Sequence, residues 1–169
     1  GVIGRALKQE IAELHLYNPR DFTNDLYQKV DDQPYGGGAG MVLKPEPIFK
    51  AFESIPTLNK RRVLMMTPQG SLLTQSDMRR WSEKYDQLIL ICGHYEGFDE
   101  RIRILADEEI CIGNFVLTGG ELPAMTIING VVRLLPGTVG KQESIIHESH
   151  SESLLEYPHY TRPSEFRGM

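Results

Sequence analysis

The chain has 169 residues, enough for one core of ordinary size but not for two. Hydrophobic residues make up 40% of it and charged residues 24%, values that exclude a wholly disordered chain. Its 18 Lys and Arg residues against 23 Asp and Glu residues give a net charge of −5. That net charge argues against a protein that binds polyanions over its whole surface. A local basic patch on an otherwise acidic protein is compatible with it.

Nothing in the sequence points to a membrane or to export. The purest apolar run, Leu88–Cys92, is only as long as a strand, whereas a membrane span needs ~20 residues. The first residues lack the layout of a signal peptide. Cys92 and Cys111 are the only cysteines and fit no zinc spacing. The sequence therefore predicts a cytoplasmic chain with reduced cysteines, no membrane partner and no assignable metal site.

The first sixty residues combine helix patterns with a polar and a glycine-rich segment. Apolar residues at helical spacing predict a helix over 5–14, and Pro45 and Pro47 mark the start of another that runs to about Ile55. Between them lies the segment Tyr35–Met41, in which four of five successive positions are glycine. Such a run excludes regular structure and permits positive φ or the close approach of another segment.

From residue 62 onward, short apolar strands alternate with helices. Strands are predicted at 63–66, 87–92 and 109–112, and helices at 75–85, 99–106 and 122–135. This alternation predicts an α/β fold with a mostly parallel sheet flanked by helices on both faces. Residues 1–140 then form one folded domain, and residues 141–169, rich in Ser, Glu and His, are predicted to be a flexible linker.

Each of the three predicted strands ends in a loop that contains glycine. The loops are Thr67–Gly70, Gly93–Gly97 and Gly113–Gly120. Because ligands bind outside the carboxyl ends of the strands in open α/β sheets, these loops could together wrap one small molecule. Tight turns between strands and helices also need glycine for their own geometry, so each loop has a purely structural alternative.

Several familiar functional classes are disfavoured. No G-x-G-x-x-G follows a strand and no G-x-x-x-x-G-K-[ST] occurs, which argues against a Rossmann dehydrogenase and a P-loop NTPase. The histidines at 147, 150 and 159 have no zinc-site spacing and are interpreted as solvated. No G-x-S-x-G accompanies Ser151 or Ser153, which argues against a hydrolase. The basic runs 60–62 and 79–80 are interpreted as solvated charges, with phosphate contact as the minority alternative.

Five segments, in order and at compatible spacing, resemble one known family over nearly the whole chain. They are Tyr35–Met41 (YGGGAGM), Thr67–Gly70 (TPQG), Cys92–Arg101 (CGHYEGFDER), Ile112–Ala124 (IGNFVLTGGELPA) and Pro158–Pro163 (PHYTRP). Together they are similar to the motifs of the bacterial tRNA (guanine-37-N1)-methyltransferases, the TrmD family of the SPOUT superfamily. One such motif would be weak support, whereas five in register are specific.

The resemblance implies an α/β SPOUT fold whose C-terminal part is threaded into a deep trefoil knot. It implies a homodimer with sites at the subunit interface, S-adenosyl-L-methionine as methyl donor, and tRNA as substrate. The methylated atom would be N1 of the guanine directly 3′ of the anticodon. A Mg²⁺ dependence is left open, since the sequence assigns the ion no site.

Carried over position by position, the resemblance places a cofactor pocket on the same three loops. The implied cofactor-binding residues are Met66, Thr67, Pro68, Gln69, Gly93, Tyr95, Glu96, Ile112, Gly113, Phe115, Leu117, Gly119, Gly120 and Pro123. Phe115 replaces a frequent tyrosine and Asn114 a frequent aspartate, which removes one hydroxyl and one charge without altering the reaction class.

Two residues are implied to be catalytic. Guanine N1 carries a proton, so a general base must remove it while a cation holds the charge that develops toward O6. Arg133 matches the family's arginine for the second role, although a cation at a helix C-terminus also complements the helix dipole. Glu148 stands where the family usually has an aspartate and is the candidate base, with Glu152 and His150 next in line.

The resemblance also suggests contacts with tRNA and a longer protein. Asp31 is a candidate for reading a neighbouring guanine through its N1 and N2 donors, and Arg20, Lys141 and Arg162 are candidate phosphate contacts. Family members have a further strand ahead of the position of Gly1 and a helical tRNA-binding domain beyond that of Met169. The chain is therefore expected to be part of a longer protein, whose linker is 141–169.

Two other functions stay open from the sequence. One is a SPOUT enzyme with a different RNA substrate, against which the segments Tyr35–Met41 and Pro158–Pro163 argue. The other is a non-catalytic module that binds RNA or nucleotides and has lost the base, for which the replacement of aspartate by Glu148 is the sole support.

Overall fold

A three-stranded parallel sheet forms the centre of the molecule in a computed structural model that describes residues 1–140, 149–150, 155 and 157–169. The helices are α1 (Val2–Lys8), α2 (Pro45–Glu53), α3 (Gln75–Lys84) and α4 (Glu121–Val132), with 3₁₀ helices at Pro19–Phe22 and Glu100–Leu105. The strands are β1 (Asp31–Asp32), β2 (Val42–Leu43), β3 (Arg61–Leu72), β4 (Gln87–Cys92) and β5 (Glu108–Cys111). No helix in these described ranges is long and apolar enough to cross a membrane.

The sheet has the strand order β4–β3–β5, and β3 pairs in parallel with both neighbours. Its central strand is buried over four successive residues, 63–66, as expected for a parallel strand covered on both faces. The predicted α/β fold with a parallel sheet flanked by helices is therefore confirmed. A separate two-stranded antiparallel ladder joins β1 to β2.

Alternate side chains of the central strand build two hydrophobic layers, because successive residues of a strand point to opposite faces. Leu64 and Met66 pack on one face with Trp81 of α3 and Ile127 of α4. Val63 and Met65 pack on the other face with a cluster that is completed by Ile48, Ile89, Ile91 and Ile102. Helices α3 and α4 thus cover one side of the sheet, and α2 with the second 3₁₀ helix covers the other.

The end of β3 differs from the prediction that the strand stops at residue 66. Met66 and Ser71 both pair with Ile110 of β5, so residues 67–70 form an excursion within a strand that then continues to Leu72. A Cβ on Gly70 would overlap the backbone of Glu109 and Ile110, so glycine lets the chain return against β5. The predicted end of the strand at residue 66 was therefore wrong, because the same strand continues to Leu72 beyond its irregular pairing at 67–70.

The first helix is shorter than the predicted 5–14, because a backbone motif ends it. Glu10 adopts φ 55, its N–H donates to the carbonyl of Leu7, and the N–H of Ile11 donates to that of Ala6. This is the Schellman pattern, which caps a helix without a glycine here. Helix α4 likewise ends at Val132, ahead of the predicted residue 135, and continues only as turns with i to i+3 hydrogen bonds.

Glu108, at the start of β5, is the centre of a charged cluster that joins the sheet to α3. Arg80 donates to both of its carboxylate oxygens at 2.9 and 2.7 Å, Arg62 donates at 2.6 Å, and the indole N–H of Trp81 donates at 3.2 Å. The hydrogen bonds from Arg80, followed by those from Arg62 and Trp81, lower the pKa of Glu108 to about 2, against the opposing effect of burial. The cluster therefore favours the ionised carboxylate in the folded state.

We expect Glu108→Gln to lower the free energy of unfolding by about 2–3 kcal/mol at pH 7. The folded-state pKa lies below the unfolded value of 4.5, so the wild-type carboxylate stabilises the fold above that pH and loses its effect as pH falls towards about 2. Urea unfolding at a series of pH values should show the difference between wild type and variant shrinking over that window.

Glu46→Gln serves as the matched control, because Glu46 is an exposed carboxylate that pairs with Lys50 on the surface of α2. Exposed pairs contribute little, so this variant should unfold nearly as the wild type does. A Glu108→Gln penalty that stays the same down to pH 2 would contradict the assigned role of the Glu108 cluster.

Candidate functional site

The three glycine-containing loops lie at one edge of the sheet. The first leaves β3 after Met66, the second leaves β4 after Cys92 and the third leaves β5 after Cys111. Since the strands are parallel, their carboxyl ends meet at the same edge, where open α/β folds bind ligands. The sequence-based placement of one site on these three loops is consistent with this arrangement.

Gly120 brings the ends of two strands and the third loop into direct contact. Its N–H donates to the carbonyl of Gly93 at 2.8 Å. A Cβ at this position would lie 2.7 Å from Cys92 Cα, 2.8 Å from Gly93 N and 3.0 Å from Met66 Cβ. Two of these neighbours are backbone atoms that cannot rotate away, so only glycine fits.

Gly119 extends this contact to the second loop. It forms an isolated antiparallel bridge with His94, and a Cβ there would meet the carboxylate of Glu121 and lie 2.9 Å from His94 Nδ1. These neighbours are side-chain ends, which makes this position less constrained by the protein than Gly120. Of the other predicted cofactor residues in this loop, Phe115 and Leu117 are exposed, while Pro123 is buried in the first turn of α4.

The site suits a ligand with both polar and apolar parts. The glycines at 93, 113, 119 and 120 place no side chain of their own over the backbone amides and carbonyls of these loops, although the Gly120 N–H and the Gly93 carbonyl bond to each other. The exposed side chains of Phe115 and Leu117 supply apolar surface beside them. Pockets for small organic cofactors combine these two features, so the residues present fit a nucleoside-containing molecule such as S-adenosylmethionine.

Tyr95, in the second loop, has an unusual backbone conformation. It adopts φ 60, which is uncommon for a residue other than glycine. Its hydroxyl accepts a hydrogen bond from Arg20 Nη2 at 3.2 Å, and its ring packs edge-on against His94 at 4.7 Å between centroids. Arg20 also donates to the carbonyl of Gln28 at 3.0 Å. The arginine predicted to contact phosphate therefore lies beside a predicted cofactor residue.

The glycine-rich segment packs against the second loop, a contact that the sequence allowed as a close approach without naming the partner. Residues 33–41 connect β1 to β2, and the N–H of Glu96 donates to the carbonyl of Met41 at 3.0 Å. Gly40, at φ +79, packs against the side chain of Glu96, so a Cβ there would overlap that carboxylate. The strand that follows this segment, Val42–Leu43, has only two residues and is too short to be predicted from an alternating pattern.

Two side chains at these loops, Cys92 and Gln69, have surroundings that restrict their chemical roles. Burial, and secondly the charge of Glu121, raise the pKa of the Cys92 thiol to about 11, so it is protonated at neutral pH and is not a nucleophile. The side chain of Gln69 accepts a hydrogen bond from Arg103, which also binds both carboxylate oxygens of Glu109 at 2.9 and 2.7 Å. Gln69 is thus fixed by a neighbouring ion pair.

Of the predicted catalytic and tRNA-binding residues that the structure describes, Arg20 contacts the second loop, whereas Arg133 and Arg162 lie on other segments of the chain. Arg133 is half-buried and caps the C-terminus of α4, about 18 Å along the helix axis from its start, at 1.5 Å per residue. Asp31 lies in β1 opposite Leu43, and Arg162 is exposed in the tail. Glu148 and Lys141 lie outside the described residues. The roles of these residues stay predictions.

Other features of the described residues do not form a competing site. In the part of the chain that the structure describes, no three His, Cys, Asp or Glu side chains come together as metal ligands would. A cavity of about 450 Å³ lies beside β5, lined by Ser71, Asp77, Ala106, Asp107, Glu108, Glu109 and Ile110. It contains none of the predicted site residues, and the carboxylates of Glu108 and Glu109 are already paired with arginines.

We expect Gly120→Ala to abolish binding of S-adenosylmethionine, the cofactor that the resemblance implies. The new Cβ would push the third loop away from Cys92 and Gly93, which separates the two loops. Calorimetric titration of the folded variant measures the loss. Gly4→Ala is the control, since nothing lies within 4 Å of a Cβ there and alanine favours a helix. Wild-type affinity in a folded Gly120→Ala protein would contradict this assembly of the site.

Comparison with known proteins identifies the family. The chain matches the family described as tRNA (Guanine-1)-methyltransferase TrmD over residues 1–169. It is 72% identical to a tRNA (guanine-N(1)-)-methyltransferase of Synechococcus sp. strain WH7803, over 100% of this chain and 70% of the relative. Proteins of the same name from Synechocystis sp. and Nostoc punctiforme are 61% and 59% identical, over all of this chain and 73% and 71% of their own lengths. The chain therefore belongs to the TrmD family of tRNA (guanine-N1)-methyltransferases.

Proposed function

We propose that the protein transfers a methyl group from S-adenosylmethionine to N1 of guanine 37 of tRNA, the base that follows the anticodon. The observation that carries this proposal is the family match over the whole chain, with its loop motifs gathered at one edge of the sheet. The two alternative functions, methylation of a different RNA and binding without catalysis, are distinguished from it by the test below.

The protein's first task is to hold the methyl donor. Candidate groups are the backbone of residues 67–70, 93–97 and 112–120, together with the exposed side chains of Phe115 and Leu117. When bound, S-adenosylmethionine supplies a methyl group that is already activated by its sulfonium. The protein then has to align this group with the acceptor nitrogen, which is catalysis by positioning.

Its second task is to make guanine N1 nucleophilic. N1 of neutral guanine carries a proton, and removing it leaves negative charge that spreads toward O6. We assign proton removal to the carboxylate of Glu148 and stabilisation of the charge at O6 to the guanidinium of Arg133. The support is that Arg133 matches the family's arginine, that Glu148 stands where the family usually has an aspartate, and that the chemistry requires one base and one cation.

We also propose that two copies of the chain form the working enzyme. Arg133 lies at the far end of α4 from Gly120, farther than one arginine side chain reaches, which favours a site that a second subunit completes. Large apolar side chains are exposed beside the candidate cofactor site, namely Phe115, Val116, Leu117, Leu122 and Met125. A homodimer would cover such a patch.

The remaining assignments rest on family membership. We assign residues 1–140 to the cofactor-binding domain, including a SPOUT trefoil knot, and 141–169 to a linker that leads to a helical tRNA-binding domain in the longer protein. We assign the protein to the cytoplasm, where tRNA is modified and where Cys92 and Cys111, both free, stay reduced.

The direct test is to incubate the full-length protein with unmodified tRNA and S-adenosylmethionine and to locate the methyl group by mass spectrometry of nuclease fragments. Methyl on N1 of guanine 37 is the expected result. Methyl at another position would favour a different SPOUT specificity. A protein that binds tRNA and leaves it unmethylated would favour the non-catalytic module.

We expect Glu148→Gln in the full-length protein to lower the single-turnover rate by at least ~100-fold, within the ~10²–10⁴ range of a general base. The amide keeps the size of the side chain and cannot accept the proton. Affinity for S-adenosylmethionine should hardly change, because the residue belongs to none of the three loops.

Glu148→Asp is the matched control, since the two carboxyl groups have similar reference pKa values of about 4.3 and 3.9. It should keep substantial activity. If Glu148→Gln methylates tRNA at the wild-type rate, the base is another residue, with Glu152 and His150 to be tested next.

We expect Met125→Glu to dissociate the homodimer. Met125 is 62% exposed on α4, so a glutamate there is well solvated in the monomer but would place a charge in an apolar interface. Sedimentation at micromolar concentration should show twice the chain mass for the wild type and a monomer for the variant. Asn129→Glu, one turn along the same exposed side of α4, shows how far the interface reaches. A wild-type protein that stays monomeric would contradict the proposal.

A further inference from the structure

A tyrosine stands at the tip of the hairpin formed by β1, residues 33–41 and β2, here called the 31–43 hairpin. The N–H of Gly37 donates to the carbonyl of Pro34 at 3.1 Å, which closes a four-residue turn. Gly36, its third residue, adopts φ +87, as a type II turn requires and as glycine allows. Tyr35 is the second residue of this turn, and its side chain is fully exposed.

The tip is connected to the candidate site by a short, hydrogen-bonded path. Asp31 pairs with Leu43 and Asp32 with Val42, which fixes the base of the 31–43 hairpin. The N–H of Leu43 donates to the carbonyl of Gly97 at 2.9 Å, and the N–H of Asp99 donates to the carbonyl of Leu43 at 3.0 Å. The hairpin therefore stands directly on the loop that carries Tyr95 and Glu96.

The charge of the 31–43 hairpin restricts what its tip can bind on an RNA. Asp31 and Asp32 lie at its base, and the sequence from 31 to 43 contains no Lys or Arg. Charge-assisted contacts with phosphates need cationic side chains, which the 31–43 hairpin lacks, and acidic residues oppose them. The ring of Tyr35 offers instead an uncharged aromatic face, and every nucleobase has a face that stacks on it.

The conformation of the turn explains why this face is available. The exposed ring of Tyr35 belongs to neither hydrophobic cluster, so its replacement leaves the core unchanged. Glycines at 36, 37 and 38 all have positive φ and leave the ring without side-chain neighbours on its C-terminal side. The turn thus presents the ring to a partner instead of burying it.

We propose that Tyr35 stacks on a base of the anticodon loop adjacent to the guanine that is methylated. The inference rests on the proposed function, because it takes tRNA as the substrate. Tyr35 then acts as a binding and specificity residue: it holds the neighbouring base in place while the target guanine enters the site formed by the three loops. It takes no part in proton removal or methyl transfer.

The test uses the full-length protein and a tRNA that carries 2-aminopurine on either side of the target guanine, one position at a time. Stacking on tyrosine quenches this fluorescent base, so the wild type should quench it at one of the two positions. Tyr35→Ala should lose the quenching and bind tRNA at least about 10-fold more weakly, within the range measured for single base stacks. Tyr35→Phe should retain both, because the ring is kept.

Two further measurements separate stacking from other effects. The affinity of Tyr35→Ala for S-adenosylmethionine should equal that of the wild type, since Tyr35 is in none of the cofactor loops. The slope of tRNA affinity against salt concentration should also be unchanged, because no phosphate contact is removed. Leu58→Ala is the control for losing an exposed apolar side chain, since Leu58 donates its N–H to Gln87 at the opposite end of β4.

The proposal is overturned if Tyr35→Ala binds tRNA as the wild type does and quenches 2-aminopurine equally, or if its salt slope falls by about one phosphate contact. Methylation by the wild type is measured on the same tRNA without the fluorescent base. Its absence overturns the proposed function, whereas quenching and affinity alone decide the role of Tyr35.

Discussion

The close packing of Gly120 against the carboxyl end of β4 and against Met66 of β3 is the constraint on which the candidate site depends. The hypothetical Cβ distances of 2.7 and 2.8 Å to backbone atoms show that the chain passes there with no room for a side chain. The hydrogen bond from Gly120 to Gly93 then aligns the third loop with the second. A site made of three loops becomes one surface because of this contact, and α4 begins immediately after it.

The first and second loops are also held from their outer sides by other elements. Arg103 fixes Gln69 of the first loop, and Arg20 contacts Tyr95 of the second. The 31–43 hairpin hydrogen-bonds to residues 96–99. These contacts use polar groups on exposed segments, in contrast to the two hydrophobic layers beneath. The sheet therefore supplies rigidity, and the surrounding segments set the positions of the loops, as expected when functional loops are carried on a rigid scaffold.

The sequence predicted the parts of this structure that have strong local signals. The apolar strand 87–92 and the helix 75–84 have clear periodicity, and the glycines after each strand marked the loops. Features set by non-local pairing were missed: β3 resumes at Ser71 because β5 pairs with it twice, and β2 is too short to be recognised without its partners. The cofactor residues were assigned from the family motifs. The packing of Gly40 against the side chain of Glu96 is a contact between distant segments, which periodicity does not predict.

The most direct measurement is hydrogen–deuterium exchange of the full-length protein with and without S-adenosylmethionine, in the absence of RNA. If the contact at Gly120 makes the three loops one binding surface, the cofactor slows exchange in residues 67–70, 93–97 and 113–120 together, with the same dependence on its concentration. Protection confined to a single loop, or protection that appears only elsewhere in the chain, would contradict the account.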